Sequence, residues 1–267
     1  MDRKPAVAGQ FYPLYPQTLE REVVSFLEEA PEKKKAIGVV SPHAGYIYSG
    51  KVAGQVFSRI EIPKRVIILG PNHRGVGEDV AVMTSGAWEM PFGRVSIDGE
   101  LARMILESSP LAAEDARAHA HEHSLEVQVP FIQKLRSDFL MVPIALGPLS
   151  LAECLTLGKG LASVIGAAGE NVLIVASSDM THYEPAEAAT RKDRRVIDEI
   201  IRLDPEAVFS TVRDNRITMC GVVPVTVMLA AARELGAKGA ELVNYMTSGD
   251  TSGDYGSVVG YAGVIVW

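Results

Sequence analysis

The chain has 267 residues, 47% hydrophobic and 22% charged, which is the composition of a protein that folds by burying an apolar core. The net charge of -7 excludes long-range attraction to nucleic-acid phosphates or to an anionic membrane surface. Two cysteines are too few for a disulfide framework, and residues 1–10 lack the apolar run of a signal peptide, so we expect a cytoplasmic protein.

Short runs rich in β-branched residues predict the strands of a sheet, and several are apolar throughout, as in strands covered on both faces. The predicted strands are Ala36–Ser41, Arg65–Gly70, Asp79–Thr84, Phe139–Leu146, Asn171–Ser177, Leu242–Thr247 and Ser257–Val266. Helical segments alternate with them, at Thr18–Glu29, Gly50–Arg59, Gly99–Glu107, Ser124–Leu135, Leu151–Gly166, Ala186–Leu203, Pro205–Val212 and Val222–Leu235. This alternation predicts a single α/β domain over residues 1–267, with a central, mostly parallel or mixed sheet between helices.

The longest near-apolar stretch, Cys220–Ala232, is shorter than a membrane-spanning helix and contains a proline. We interpret it as a buried helix, so no membrane association is expected.

Three of the apolar strands end in the same way. His43 follows the first predicted strand, His73 follows the second, and Asp179 with His182 follows the strand at 171–177. In open α/β sheets, ligands bind in the crevice outside the carboxyl ends of the strands. A proline precedes each of the first two histidines by one or two residues and stiffens its loop. The pattern therefore predicts His43 and His73 as metal ligands.

Cys220 lies just before the buried helix, whose first turn contains Pro224. A thiol near the positive end of a helix has a lowered pKa and binds metals as the thiolate. The alternative is a small buried hydrophobic residue, which is our interpretation of Cys154. Because His43 and His73 supply two imidazoles, we interpret Cys220 as the third ligand.

A second group of histidines alternates along the chain at positions 119, 121 and 123. We interpret His119 and His121 as part of a solvated loop, whereas His123, next to a helix start, is expected to face a pocket. The polar run 248–256 lacks the terminal glutamate of a calcium loop and is expected to be a loop near the same crevice.

Five ordered motifs together resemble the Memo family, over nearly the whole chain. They are Ser-Pro-His-Ala-Gly-Tyr-x-Tyr-Ser-Gly at 41–50, Gly-Pro-Asn-His at 70–73, Glu-His-Ser-Leu-Glu at 122–126, Ser-Ser-Asp-x-x-His at 177–182 and Cys-Gly-x-x-Pro at 220–224. Memo proteins are similar in fold to the class III extradiol (LigB-type) dioxygenases, in which two histidines and a glutamate hold non-haem iron. The resemblance therefore implies a LigB-like dioxygenase fold.

By motif, the resemblance implies that His43 and His73 occupy the two histidine ligand positions and that Cys220 replaces the glutamate. That replacement argues against ring cleavage, because a soft sulfur ligand suits copper or zinc as well as iron. The resemblance implies a metal-dependent oxidoreductase that uses iron or copper, with Asp179 and His182 as catalytic residues. His182 acts either as a general base or as a partner that orients a ligand.

The remaining pocket residues are assigned with the same motifs. Asn72 and His123 are expected to line the crevice, and Tyr46 and Tyr48 either line it or belong to the core. The expected ligand is a small molecule or a peptide.

Two other functions stay open from the sequence. One is a non-catalytic module that keeps the pocket and binds a peptide or small ligand, since fold does not fix function. The other is a zinc hydrolase, because three protein ligands and a water form the catalytic zinc arrangement. The sequence indicates neither the substrate nor the oligomeric state.

Overall fold

The computed structural model describes residues 2–267, and its strands and helices alternate along the chain. The strands are β1 (Gly38–Ser41), β2 (Arg65–Pro71), β3 (Val80–Val82), β4 (Ala87–Met90), β5 (Gly93–Ser96), β6 (Ala113–Glu114), β7 (Leu140–Leu146), β8 (Val172–Ser177), β9 (His182–Glu184), β10 (Ala240–Thr247) and β11 (Val258–Val266). The helices are α1 (Pro16–Phe26), α2 (Tyr46–Ser58), α3 (Gly99–Ser108), α4 (Val129–Leu135), α5 (Leu151–Ala168), α6 (Ala186–Ile201), α7 (Pro205–Asp214), α8 (Val222–Glu234) and α9 (Gly249–Ser252).

Within residues 2–267, nine strands form one mixed sheet. Its order is β10-β11-β1-β8-β2-β7-β3-β6, and β9 pairs with β11. The four central strands β1, β8, β2 and β7 are parallel, whereas β11 and β3 join them antiparallel on either side. β4 and β5 form a separate hairpin. The predicted α/β class with a mixed sheet is confirmed.

Helices cover both faces of this sheet. Val39 and Ile68 belong to a core that includes residues of α1, α2 and α4. Val40 and Ile67 point the other way, into a core shared with α3 and α5 to α8. Because successive side chains of a strand face opposite sides, the uninterrupted apolar runs of β1 and β2 fill both cores at once. This is the LigB-like arrangement expected from the motifs.

All seven predicted strands are present, with ends that differ by up to two residues. The unpredicted strands β4, β5, β6 and β9 have only two to four residues, too few for a periodic signal. α2 begins at Tyr46 rather than at Gly50. The predicted helix 124–135 divides into a 3-10 turn at Glu126–Gln128 and α4.

α5 has the length and composition of a membrane-spanning helix, with a hydropathy of 1.3 over its 18 residues. This is weak evidence for a membrane, because core helices pass the same test. α5 packs against α8 and α3, and Leu157 and Leu161 are fully buried in the core.

His119 corrects one expectation. Its side chain is fully buried rather than solvated, and its Nε2 lies 3.1 Å from the Ala81 carbonyl oxygen, to which it donates as a neutral imidazole. Burial lowers the pKa of His119 to about 4. His121 is exposed, as expected. The period-2 spacing of the histidines therefore does not reflect one shared environment.

We expect His119→Gln to reduce the loss of stability in acid. The unfolded chain protonates this histidine near its ordinary pKa of 6.5, whereas the folded chain does so only at about pH 4. The neutral His119 therefore costs no stability above pH 6.5. As the pH falls from 6.5 to 4, protonation of the unfolded chain lowers the free energy of unfolding by roughly 3 kcal/mol. Urea unfolding across this range measures the difference between parent and variant.

His121→Gln is the matched control, because that side chain is exposed. It should keep the pH dependence of the parent chain. If the curves of His119→Gln and the parent run parallel from pH 6.5 to 4, the assignment of the acid sensitivity to His119 is wrong.

Candidate metal centre

The parallel pairing of three strands brings the predicted loops together. Ser41 at the end of β1 lies opposite Ser177 at the end of β8, and the register of β2 with β8 places Leu69 opposite Ala176. The chain leaves all three strands at the same edge. His43, His73 and Asp179 each lie two residues beyond a strand end, and therefore meet there.

These loops border an open cleft of about 540 Å³. Other walls come from the N-terminal segment, from the segment before α8 and from β9 and β11. The lining residues are Phe11, His43, Ala44, Gly45, His73, His123, Asp179, His182, Tyr183, Thr218, Cys220, Val259 and Tyr261. The cleft thus contains all three predicted metal ligands and both predicted catalytic residues.

A chain of hydrogen bonds fixes the tautomer of His43. The Ser177 hydroxyl donates to the Ser124 carbonyl oxygen at 2.6 Å and accepts from the Gln128 side-chain amide at 2.9 Å. Since that hydroxyl has only one proton, the His43 Nδ1 at 2.9 Å must be the donor to it. The Nε2 of His43 therefore carries a lone pair. The ring is 2% exposed, so its position is set by the protein interior.

Glu122 fixes His73 in the same way. Its buried carboxylate accepts from the His73 backbone N–H at 2.7 Å and from the His73 Nδ1 at 3.0 Å. It also accepts from the Ser124 backbone N–H at 2.8 Å. Burial opposes its charge, but the hydrogen bonds from His73 and Ser124 help to outweigh this effect, and the pKa of Glu122 is lowered to about 2. A carboxylate on Nδ1 leaves Nε2 of His73 free to bind a cation.

His123 completes a cluster of imidazoles. His43, His73 and His123 each offer a ring nitrogen, and these three atoms lie within 4.8 Å of one another. Burial, followed by the neighbouring histidines, lowers the pKa of His43 well below its ordinary value. Burial also lowers the pKa of His123 to about 4. Both rings are neutral at pH 7, which is the form that binds metals.

Cys220 joins this cluster at His43. Its sulfur lies 3.1 Å from His43 Nε2 and accepts from the Asp179 backbone N–H at 3.3 Å. Burial and the neighbouring Asp179 raise the pKa of the thiol. This direction is opposite to the expected lowering by the α8 N-terminus. Because desolvation exceeds the dipole effect here, the thiolate requires a cation beside it.

Asp179 and His182 differ in what they contact. Asp179 is 5% exposed, and its carboxylate accepts from the His43 backbone N–H at 2.7 Å, which ties β8 to the His43 loop. Burial raises the pKa of Asp179 to about 6. His182 is partly exposed, and its Nδ1 donates to the Thr218 carbonyl oxygen at 2.9 Å. In the neutral ring, Nε2 of His182 is therefore the nitrogen that can accept a proton.

Of the other predicted pocket residues, two line a cavity and two do not. His123 lines the cleft, and Asn72 lines an adjoining cavity that it shares with His73. Tyr46 is a core residue, 2% exposed, whose hydroxyl donates to the Val127 carbonyl oxygen. Tyr48 is exposed on α2 and does not line the cleft. The polar run 248–256 contains α9 and also lies outside the cleft lining.

The N-terminal segment forms one wall of the cleft. The Phe11 ring lies 4.7 Å from the His123 ring. Glu126 holds this segment, since its fully buried carboxylate pairs with Arg3 at 2.6 Å and accepts from the Tyr12 hydroxyl and from two backbone N–H groups. A buried charge requires such saturation with donors. In the motif Glu-His-Ser-Leu-Glu, Glu122 thus orients His73, and Glu126 holds the N-terminal wall of the cleft.

Several residues of the site were not identified from the sequence. Glu122 and Ser177 stand in the quoted motifs, but spacing alone does not reveal their hydrogen bonds to His73 and His43. Tyr183 lines the cleft with a left-handed backbone (φ 60°), a conformation that is costly for a bulky residue. No sequence pattern signals that conformation.

Fold and site together define an α/β protein with a LigB-like fold whose strand ends gather imidazoles, a thiol and a carboxylate in one cleft. The chain is similar in structure to an uncharacterized protein of Escherichia coli K12, with a TM-score of 0.61 and 14% identity. The match covers 85% of this chain and 98% of that one, and it supports the fold.

Residues 3–265 match the family described as Memo-like protein. A MEMO1 family protein of Aquifex aeolicus is 46% identical over 265 residues, which cover 98% of each chain. A MEMO1 family protein of Methanopyrus kandleri is 42% identical over an alignment of 279 positions, which covers 99% of each chain. The chain belongs to the Memo family, as its motifs indicate.

Gly221 provides a test of how Cys220 is positioned. A Cβ at this residue would lie 2.5 Å from the Ser177 carbonyl oxygen and 2.3 Å from the Ser178 Cβ, too close for any side chain. We expect Gly221→Ala to push the Cys220 segment away from β8 and to destabilise the chain by about 1–3 kcal/mol. Chemical unfolding measures the change.

The control is Gly166→Ala, in α5, where a Cβ would meet nothing within 4 Å. This substitution should stabilise the chain by up to about 1 kcal/mol, because alanine favours the helix. Equal effects of the two substitutions would show that stability does not depend on the close packing of Gly221 against Ser177 and Ser178.

Proposed function

We propose that this protein binds a single metal ion through His43, His73 and Cys220 and acts as a metal-dependent oxidoreductase with iron or copper. The observation that carries the proposal is the pair of imidazoles whose Nε2 lone pairs are kept free by Ser177 and Glu122. The Cys220 sulfur lies against one of these nitrogens. Hydrogen bonds on the far nitrogen of each histidine are typical of metal ligands in proteins.

The donor set fits such an ion. Two neutral imidazoles and one thiolate leave coordination positions open for a substrate, and they suit iron, copper or zinc. A raised thiol pKa agrees with this role, because a bound cation offsets the cost of the buried thiolate. When bound, iron or copper supplies redox chemistry that the side chains lack.

The surrounding residues have roles that do not require the identity of the substrate. His182 presents an Nε2 lone pair to the cleft and can take a proton from a bound substrate. Asp179 holds the His43 loop through the backbone and is a positioning residue. His123 is the competing third ligand, since its ring nitrogen belongs to the imidazole cluster.

Metal uptake tests the ligand set. Protein prepared anaerobically with reduced thiols should bind one iron(II) or copper(I) ion per chain, and His43→Ala, His73→Ala or Cys220→Ala should abolish stoichiometric uptake. Elemental analysis after desalting measures the ratio. In cobalt(II)-substituted protein, a sulfur-to-metal charge-transfer band that survives His123→Gln and disappears in Cys220→Ala would assign the third ligand to the cysteine.

Cys154→Ala is the matched control, since Cys154 is buried in the core away from the cleft. This variant should bind metal like the parent chain. A parent chain that takes up neither iron nor copper under these conditions would overturn the proposal.

Glu122→Gln tests the orientation of His73. The amide has the shape of the carboxylate but not its charge, so we expect metal affinity to fall by about ten- to a hundredfold while the fold is retained. Competition with a chelator measures the affinity, and Glu187→Gln, at an exposed glutamate of α6, serves as control. Unchanged metal affinity in Glu122→Gln would show that the charge of the Glu122 carboxylate is not needed to orient His73.

The same preparations separate the alternative functions. Stoichiometric metal without oxygen consumption or substrate oxidation would favour a binding module for a peptide or small ligand. Hydrolysis that requires zinc and is lost in His73→Ala would favour a zinc hydrolase.

A further inference from the structure

A second cavity, of about 370 Å³, adjoins the candidate metal centre. It shares His73 and Cys220 with the cleft, so one ligand can extend from the metal-binding residues into it. The end of β7, the loop that follows it, α7 and the start of α8 supply its other walls. Its volume lies in the range of small-molecule sites.

The walls of this cavity are mostly apolar. Leu149, Phe209 and Val223 are each at least 90% buried, and together with Leu146 they present hydrocarbon to the interior of the cavity. Among the polar side chains, the NH2 group of Asn72 donates to the Val76 carbonyl oxygen at 2.8 Å, whereas its Oδ1 is buried without a hydrogen-bond partner. Such a lining favours the hydrocarbon body of a ligand.

Arg213 is the one permanently charged residue of the lining. Its guanidinium carbon lies 4.8 Å from the centre of the Phe209 ring, and none of the carboxylates in residues 2–267 pairs with it. Arg233 on the neighbouring α8, by contrast, forms a two-pronged pair with Glu206. Arg213 is exposed to solvent, and its charge lies beside the cavity without a protein counter-ion, in a chain whose net charge is -7.

We propose that this cavity binds the apolar body of an elongated carboxylate, with the carboxylate on Arg213 and the other end of the molecule at His73 and Cys220. The placement of the far end of the ligand at His73 and Cys220 rests on the proposed metal function. Binding of the carboxylate and of the apolar body depends only on Arg213 and the apolar walls. A guanidinium stacked on an aromatic ring keeps its donors free for a bidentate pair with a carboxylate. The Arg213 site would therefore select anions over neutral analogues.

Phenylbutyrate and its neutral amide, phenylbutyramide, are suitable probes because they differ only at the group that would meet Arg213. Isothermal titration calorimetry on the full chain, treated with chelator, should show the carboxylate binding about tenfold more tightly than the amide. Arg213→Gln should remove this preference by weakening only the carboxylate. Val223→Thr should weaken both probes alike, because it changes the apolar wall.

Arg202→Gln is the matched control, since it removes the same charge from an exposed arginine that pairs with Glu199 at the end of α6. It should leave the affinities of both probes unchanged. A preference for the carboxylate that persists in Arg213→Gln, or the lack of saturable binding of either probe, would overturn the proposal. Because the titrations use metal-free protein, a chain that binds no metal but keeps the Arg213-dependent preference would refute the metal function alone.

Discussion

The candidate centre depends on the parallel pairing of β1 with β8 and of β8 with β2. This pairing places three chain exits side by side, and two of them carry an imidazole two residues later. The uninterrupted apolar sequences of these strands make the arrangement stable, since each strand fills the cores on both faces of the sheet. The position of the chemistry is therefore a consequence of how the core is packed.

A second layer of hydrogen bonds orients the histidine rings, so that their Nε2 atoms can bind a metal ion. Ser177, Glu122 and the Thr218 carbonyl each occupy the Nδ1 of one histidine, and each leaves an Nε2 lone pair. The hydrogen-bonding role of each Nδ1 follows from this layer rather than from solvent. Each partner lies on a different segment from the histidine that it orients, so ligand and partner meet only in the folded chain.

The sequence predicts the strands and the loops of the site well, because long apolar runs and strand-end histidines are local signals. His43, His73 and Cys220 are brought to one cleft although they are distant in sequence. Local signals mislead where burial determines the environment of a side chain. His119 is a core residue rather than part of a solvated loop. Desolvation raises the pKa of the Cys220 thiol, although the helix dipole acts to lower it. Tyr46 lies in the core because α2 begins earlier than its apolar pattern indicates. Glu122 has a long-range partner, and spacing alone does not reveal such a partner.

The pairing of Arg3 with Glu126 has a consequence for the order of assembly. These residues are more than a hundred positions apart, and Glu126 is the partner that neutralises Arg3 in the interior. During synthesis Arg3 stays without this partner until the segment around Glu126 has emerged. The wall that carries Phe11 is thus closed by a long-range contact, and the cleft acquires its final shape only when β8 and β11, which follow Glu126 in the chain, have joined the sheet.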